Sequence, residues 1–172
     1  MFSGRIRVFH SAIARFYAPS DLCGAGGMLQ ERIRSNRTWS GGPHFDTVFV
    51  VLDDSKPGMK GMLIARVLLF FSFLDPYLKE EVSCALVNWY THVNIKPDRS
   101  TGMWVMEPEY DQSGQCTIEV IHLDTVLRGA HLLPHYGSGV LPEDFSYTDA
   151  LDAFDSYYVN HYVDHHTHEL LT

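Results

Sequence analysis

Two histidines, His161 and His165, stand four residues apart. On a helix that spacing puts both on one face and suits a metal ion. Asp164, His166, His168 and Glu169 are near enough in sequence to add ligands. A closed structural site needs four organised ligands, however, and a solvated tail is the competing reading. Trp89, Tyr90 and Trp104 offer different chemistry. Aromatic walls hold a methylated ammonium group by cation–π attraction, and the nearby acids Glu107, Glu109 and Asp111 would complement a basic peptide. Large rings also serve as core fillers. A third set, Arg32, Arg34 and Arg37, could contact a nucleic-acid backbone or an acidic partner, or simply form a solvated face.

The remaining candidates are incomplete. Gly24 to Gly27 is glycine-rich, but the Lys-Ser/Thr of a phosphate loop and the strand–helix frame of a dinucleotide site are both missing. His122 and Asp124 would share a strand face and could be sketched into a triad with Ser72 or Cys84. No nucleophile elbow or oxyanion-hole motif accompanies them. A buried hydrogen-bond network is the simpler role for that pair and for His131 and His135. These residues lead us to expect no enzyme activity and no cofactor.

The elements that must position these groups come from a chain of 172 residues, 45% hydrophobic and 13% aromatic. That is long enough for one domain with a substantial core, and far from disordered composition. The formal charge of −8 disfavours non-specific binding to phosphate backbones, though not a local basic patch. Cys23, Cys84 and Cys116 are odd in number and form no CxxC pair. Reduced thiols in a nuclear or cytosolic compartment fit best. The longest apolar run, Met62 to Leu74, contains Arg66 and falls short of the roughly 20 residues that span a bilayer. No signal-peptide pattern opens the chain; a transit peptide over the basic, acid-free Met1 to Phe16 is a weaker alternative.

Ile6, Phe9, Ile13 and Phe16 recur at helical spacing and predict a short amphipathic helix over Arg5 to Tyr17, ended by Pro19. The segment around Arg32 to Arg37 has no clear period. Strands are expected over Phe45 to Leu52, Leu63 to Leu74, Val82 to Val93, Met103 to Glu107 and Cys116 to Val126. The second of these is apolar on both faces, so it should be buried on each side. Arg128 to Tyr136 reads as irregular around Pro134. A second helix is expected from about Thr148 to Asp164, with the stripe Leu151, Phe154, Tyr158 and Tyr162. The fold class is therefore α+β, mainly β: a small curled sheet or barrel of about five strands with a short helix at each end. We expect a single domain over 1–172, with a core at about 44–137, an N-terminal extension over 1–43 and a C-terminal helix at about 148–165.

Several phrases together resemble one family. They are Phe16-Tyr17-Ala18-Pro19-Ser20-Asp21-Leu22 with Gly24 to Met28, Ala65-Arg66-Val67 leading into Phe70-Phe71-Ser72-Phe73, and Cys84-Ala85-Leu86-Val87-Asn88-Trp89-Tyr90. Thr101-Gly102-Met103-Trp104-Val105, Val120-Ile121-His122-Leu123-Asp124, Ala130-His131-Leu132-Leu133-Pro134 and Tyr158-Val159-Asn160 with Asp164-His165-His166 complete the set. As an ordered series they resemble the C-terminal region of transposase-like proteins from basidiomycete DNA transposons of the Plavaka and Kyakuja–Dileera–Zisupton kinds. The resemblance implies an accessory module without the RNase-H-like nuclease core, working in the nucleus and contacting protein, chromatin or DNA. No catalytic residue of the family maps onto this chain. The strand pattern is also distantly similar to the bromo-adjacent homology (BAH) barrel, an analogy of architecture alone. A non-catalytic interaction module with a protein or chromatin partner and no membrane role is the expectation. A metal-binding protein or enzyme using His161 and His165 is the alternative, and a transposon relic without activity is the third.

Overall fold

The two longest apolar runs pair with each other and set the frame. In the computed structural model, which describes residues 4–21, 24–39, 41–137, 141 and 145–172, β6 (Met62–Leu74) and β7 (Glu81–His92) form one antiparallel hairpin. Its ladder shifts register between Val67 and Leu69, leaving Leu68 as the extra residue of a β-bulge. The bulge divides the hairpin into an inner and an outer half, each with its own neighbours.

The inner half belongs to a barrel. β5 (Thr47–Val51) pairs with the start of β6, and β8 (Val105–Pro108) with the end of β7. β12 (Tyr157–Val159) adds to β8, and β11 (Leu132–Pro134) to β12. On the other side β10 (Val126–Ala130) pairs with β5. Only His131 separates β10 from β11, so one extended segment supplies both ends of the sheet and nearly closes the ring. Closure removes the unpaired edges that an open sheet would expose. The interior is filled by Phe49, Ile64, Tyr90, Trp104, Met106, Tyr157 and Val159, with Leu171 from α1 (His165–Leu171) at the rim.

The outer half of the hairpin carries two more strands. β1 (Ile6–Phe9) pairs with β6 over Phe70 to Phe73, and β9 (Ile118–His122) with β7 over Cys84 to Asn88. A separate sheet of β2 (Ser11–Tyr17), β3 (Met28–Trp39) and β4 (Gly42–Phe45) lies against the barrel wall. There Ala12, Ala14 and Ile33 meet Val48, Val50, Ala65, Val67 and Trp89 in a second core cluster.

The mainly-β α+β class stands, with three corrections. Arg5 to Tyr17 forms β1 and β2, and no helix: Ala12, Ala14 and Phe16 point inward with period two, while Ile13 is 51% exposed. The C-terminal helix runs over His165–Leu171, after a 3-10 turn at Tyr147–Asp149 and the strand β12. Asp164, rather than Thr148, is its N-cap, accepting the Thr167 N–H at 2.7 Å. The strand count is twelve among the described residues, since β3 and the β10–β11 segment are extended too. Leu22 of the first quoted phrase and Cys23 lie outside the described residues. No helix among the described residues is long and apolar enough to cross a membrane.

Phe49 is fully buried at the heart of the barrel. Phe49→Ala is expected to cost about 3–5 kcal/mol of stability, measured by urea denaturation. A loss below about 1 kcal/mol, the level of a conservative core swap, would mean the barrel interior is not the main core.

Candidate functional site

The three aromatic candidates are separated by the strand pleat. Trp89 and Tyr90 are neighbours on β7 and so face opposite sides of the sheet. Trp89 is buried in the cluster under β3, its indole N–H donating to Glu119 Oε2 at 2.8 Å. Tyr90 and Trp104 lie in the barrel interior, packed edge-on against Tyr157 and His92 respectively. The three rings therefore line no common cage. They are the core fillers of two layers.

The histidine pair is also separated. His161 precedes α1 and is buried, whereas His165 is exposed at the first helical position. The ring nearest His161 in that region, besides the adjacent Tyr162, is His168, with centroids 5.3 Å apart. Burial, with a smaller contribution from His168, lowers the His161 pKa. Among the described residues no group of three or more His, Cys, Asp or Glu side chains is placed to hold a metal ion. His122 Nδ1 accepts the Asp124 N–H at 3.3 Å in a local turn. Ser72 instead donates to Glu81, and burial raises the pKa of Cys84, which keeps it as a thiol. The sketched triad does not assemble.

The arginines fare differently. Arg32 and Arg34, two apart on β3, line a cleft of about 530 Å³ between the β3–β4 arm and the β10–β11 seam. Arg37 is exposed and is not part of its lining. Arg66 from β6 and Arg128 from β10 complete a set of four arginines that line it. Arg66 and Arg128 were not singled out from the sequence, although a charged residue inside an otherwise apolar strand run was the available signal.

Arg128 is the most constrained of the four, at 5% exposure. Its guanidinium donates to both Asp164 carboxylate oxygens, at 3.0 and 2.6 Å, and to His166 Nδ1 at 3.0 Å. It also lies 4.5 Å from the Phe16 ring centroid, and Phe16 in turn stacks on His166. Burial pushes the Asp164 carboxyl upward, but hydrogen bonds from Arg128 and Thr167 outweigh it and hold the pKa below the usual value. An arginine has only donors, so His166 Nδ1 must offer its lone pair, which requires the acceptor tautomer. Burial first, and then the Arg128 charge, depress the His166 pKa.

A fourth surface was not anticipated. Across the outer half of the hairpin the register aligns Val8, Phe71, Cys84 and His122 in one row and Leu69, Leu86 and Val120 in the next, with Ile118 opposite Asn88. No position in the first two rows is an acid, a lysine or an arginine; the third continues across Asn88 to Arg66 on β6, which is paired with Asp152. The opposite face of the same strands is covered, contributing Phe70, Ala85 and Ile121 to the second core cluster. On the apolar face Ile6, Val8, Ile118 and Val120 are each more than half exposed. Four strands about 4.8 Å apart and about six residues long make a surface of roughly 400 Å² in plan.

The depressed histidines give stability a pH dependence. In the unfolded chain an imidazole titrates near 6.5. His161 and His166 have lower values when folded, so below pH of about 6.5 the unfolded state binds more protons and folding loses stability. The thermal midpoint is expected to fall as pH is lowered from about 7.5 to about 5.5, and His166→Gln is expected to shrink that fall. An unchanged slope in the variant would show that His166 does not carry the effect.

Compared with protein-family models, curated proteins and solved structures, the chain matches none of them.

Proposed function

We propose that this protein is a non-catalytic interaction module, and that its contact surface is the face of the β1–β6–β7–β9 sheet on which Val8, Ile118 and Val120 are exposed among the described residues. The occupant is a second copy of the same chain, stacked face to face. The observation that carries this reading is the uncharged row structure just described. A face of roughly 400 Å² lies within the range of the largest apolar patches on soluble proteins, which are often functional. A partner with charged groups at its centre would leave them desolvated without counterions, at a cost. An identical face matches in size and chemistry, and two-fold stacking of sheets about 10 Å apart is the usual way to bury such faces. Together with Tyr77 and Leu78, exposed at the hairpin turn, two copies would bury on the order of 1,200 Å², the lower end of specific interfaces.

The resemblance to transposase accessory regions supplies the setting: a nuclear module that joins subunits of a larger complex. That setting rests on the quoted sequence phrases alone. A contact between copies suits such a role, because it brings two DNA-engaged chains together without needing chemistry of its own.

Sedimentation velocity of the purified chain tests the contact. The wild type is expected to dimerise at micromolar concentration, and Val8→Asp or Val120→Asp to give folded monomers. Both residues are more than half exposed, so neither change should disturb the core. A wild-type monomer throughout, or a dimer indifferent to both substitutions, would refute the contact.

A further inference from the structure

We propose that the arginine cleft is a binding site for an organic monocarboxylate with an apolar body. The carboxylates around it already have partners. Asp164 is held by Arg128, and Glu31 accepts the Gly129 N–H at 3.0 Å and lies 3.6 Å from Arg128. Asp46 accepts the Arg34 backbone N–H at 2.7 Å and pairs with His44 at 2.7 Å. Arg66 is paired with Asp152.

Neither Arg32 nor Arg34 has a carboxylate within ion-pair distance among the described residues; Arg32 is exposed, whereas Arg34 is half-buried and its guanidinium meets the Trp39 ring at 5.0 Å. Among the described residues the Nε–H groups of Arg34 and Arg66 are buried without an acceptor, whereas Arg128 Nε faces Glu31 Oε2 at 3.6 Å. Buried donors are normally satisfied, and here the two that are not belong to side chains of one cleft. Arg32, two residues earlier on β3, also lines it, its Nη1 donating to Ser11.

The ligand class follows from the charge and the walls. Of the two guanidinium groups without a carboxylate only Arg34 is half-buried, so the desolvated part of the cleft calls for one negative charge. A phosphate monoester brings about −1.5 to −2, which Arg34 alone does not balance. The planar guanidinium matches a carboxylate through paired hydrogen bonds. Phe45, Leu132, Leu151 and Val163 supply apolar walls, which a bare acetate would leave unused. A cleft of about 530 Å³ falls within the range of small-molecule sites.

Calorimetric titration of the full chain with phenylacetate, phenylacetamide, acetate and inorganic phosphate tests this. Phenylacetate is expected to bind saturably, and its neutral amide and acetate at least about tenfold more weakly, the factor that about 1.4 kcal/mol represents. Arg34→Gln should lower phenylacetate affinity by a similar factor at an unchanged circular-dichroism spectrum, while Arg37→Gln, outside the cleft, should have no effect. If Arg34→Gln fails to fold, Arg32→Gln serves in its place. Equal binding of acid and amide, tighter binding of phosphate than of phenylacetate, equal losses in the Arg34 and Arg37 variants, or no saturation by phenylacetate would each overturn the proposal.

Discussion

The buried Arg128 guanidinium is the contact on which the arrangement of layers depends. It sits on β10 and reaches Asp164 and His166 of the C-terminal segment, Phe16 of β2 and, more distantly, Glu31 of β3. One side chain thus ties the barrel, the outlying three-stranded sheet and α1 together. A charge this deeply buried is tolerated only when it is fully partnered, and removing a partner from such a pair is far more damaging than never having had it. Asp164 serves twice, since the same carboxylate caps α1. A helix of only seven residues has little stability of its own and depends on that cap and on Leu171 reaching the barrel.

The bulge at Leu68 explains how one hairpin serves two environments. Before it, β6 is buried on both sides, with Ile64 in the barrel and Ala65 under β3. Beyond it, the face toward the second core remains covered, while the barrel-side face runs out past the end of the barrel and exposes Ile6, Val8, Ile118 and Val120 among the described residues. The uncovered apolar surface is therefore the direct continuation of an interior lining. That origin accounts for its composition: the row has the residue types of a core because the strands that carry it also build one.

Much of this was legible in the sequence wherever apolar alternation was strong. The runs that became β5, β6, β7 and β9 were readable from β-branched and aromatic density, and β8 from its short run before Pro108. The N-terminal error has a physical source. Ile6, Phe9, Ile13 and Phe16 fit a helical period, while the alternation that prevailed rests on the small Ala12 and Ala14, which pack under β3. β3 itself was obscured because Ile33 is its only fully buried large apolar residue, surrounded by Gln, Glu and Arg. The cleft was half legible. Arg32 and Arg34 stood out as a cluster, but Arg66 and Arg128 join them only through strand pairings distant in sequence. The aromatic cage failed for a reason that was available in advance: adjacent residues on a strand cannot share a face.

Near-closure of the barrel by a single segment also bears on how the chain acquires its structure. β8 and β11 have no common neighbour until β12 is inserted between them, and β12 follows every other strand in chain order. The ring must therefore wait for its latest piece, bridging pairings of large sequence separation. Such topologies fold slowly, because loop-closure entropy is spent before the contacts that reward it form. During that interval β8 and β11 are open strands with unpaired backbone, and a long-lived intermediate of this kind is where chaperone engagement or aggregation would begin.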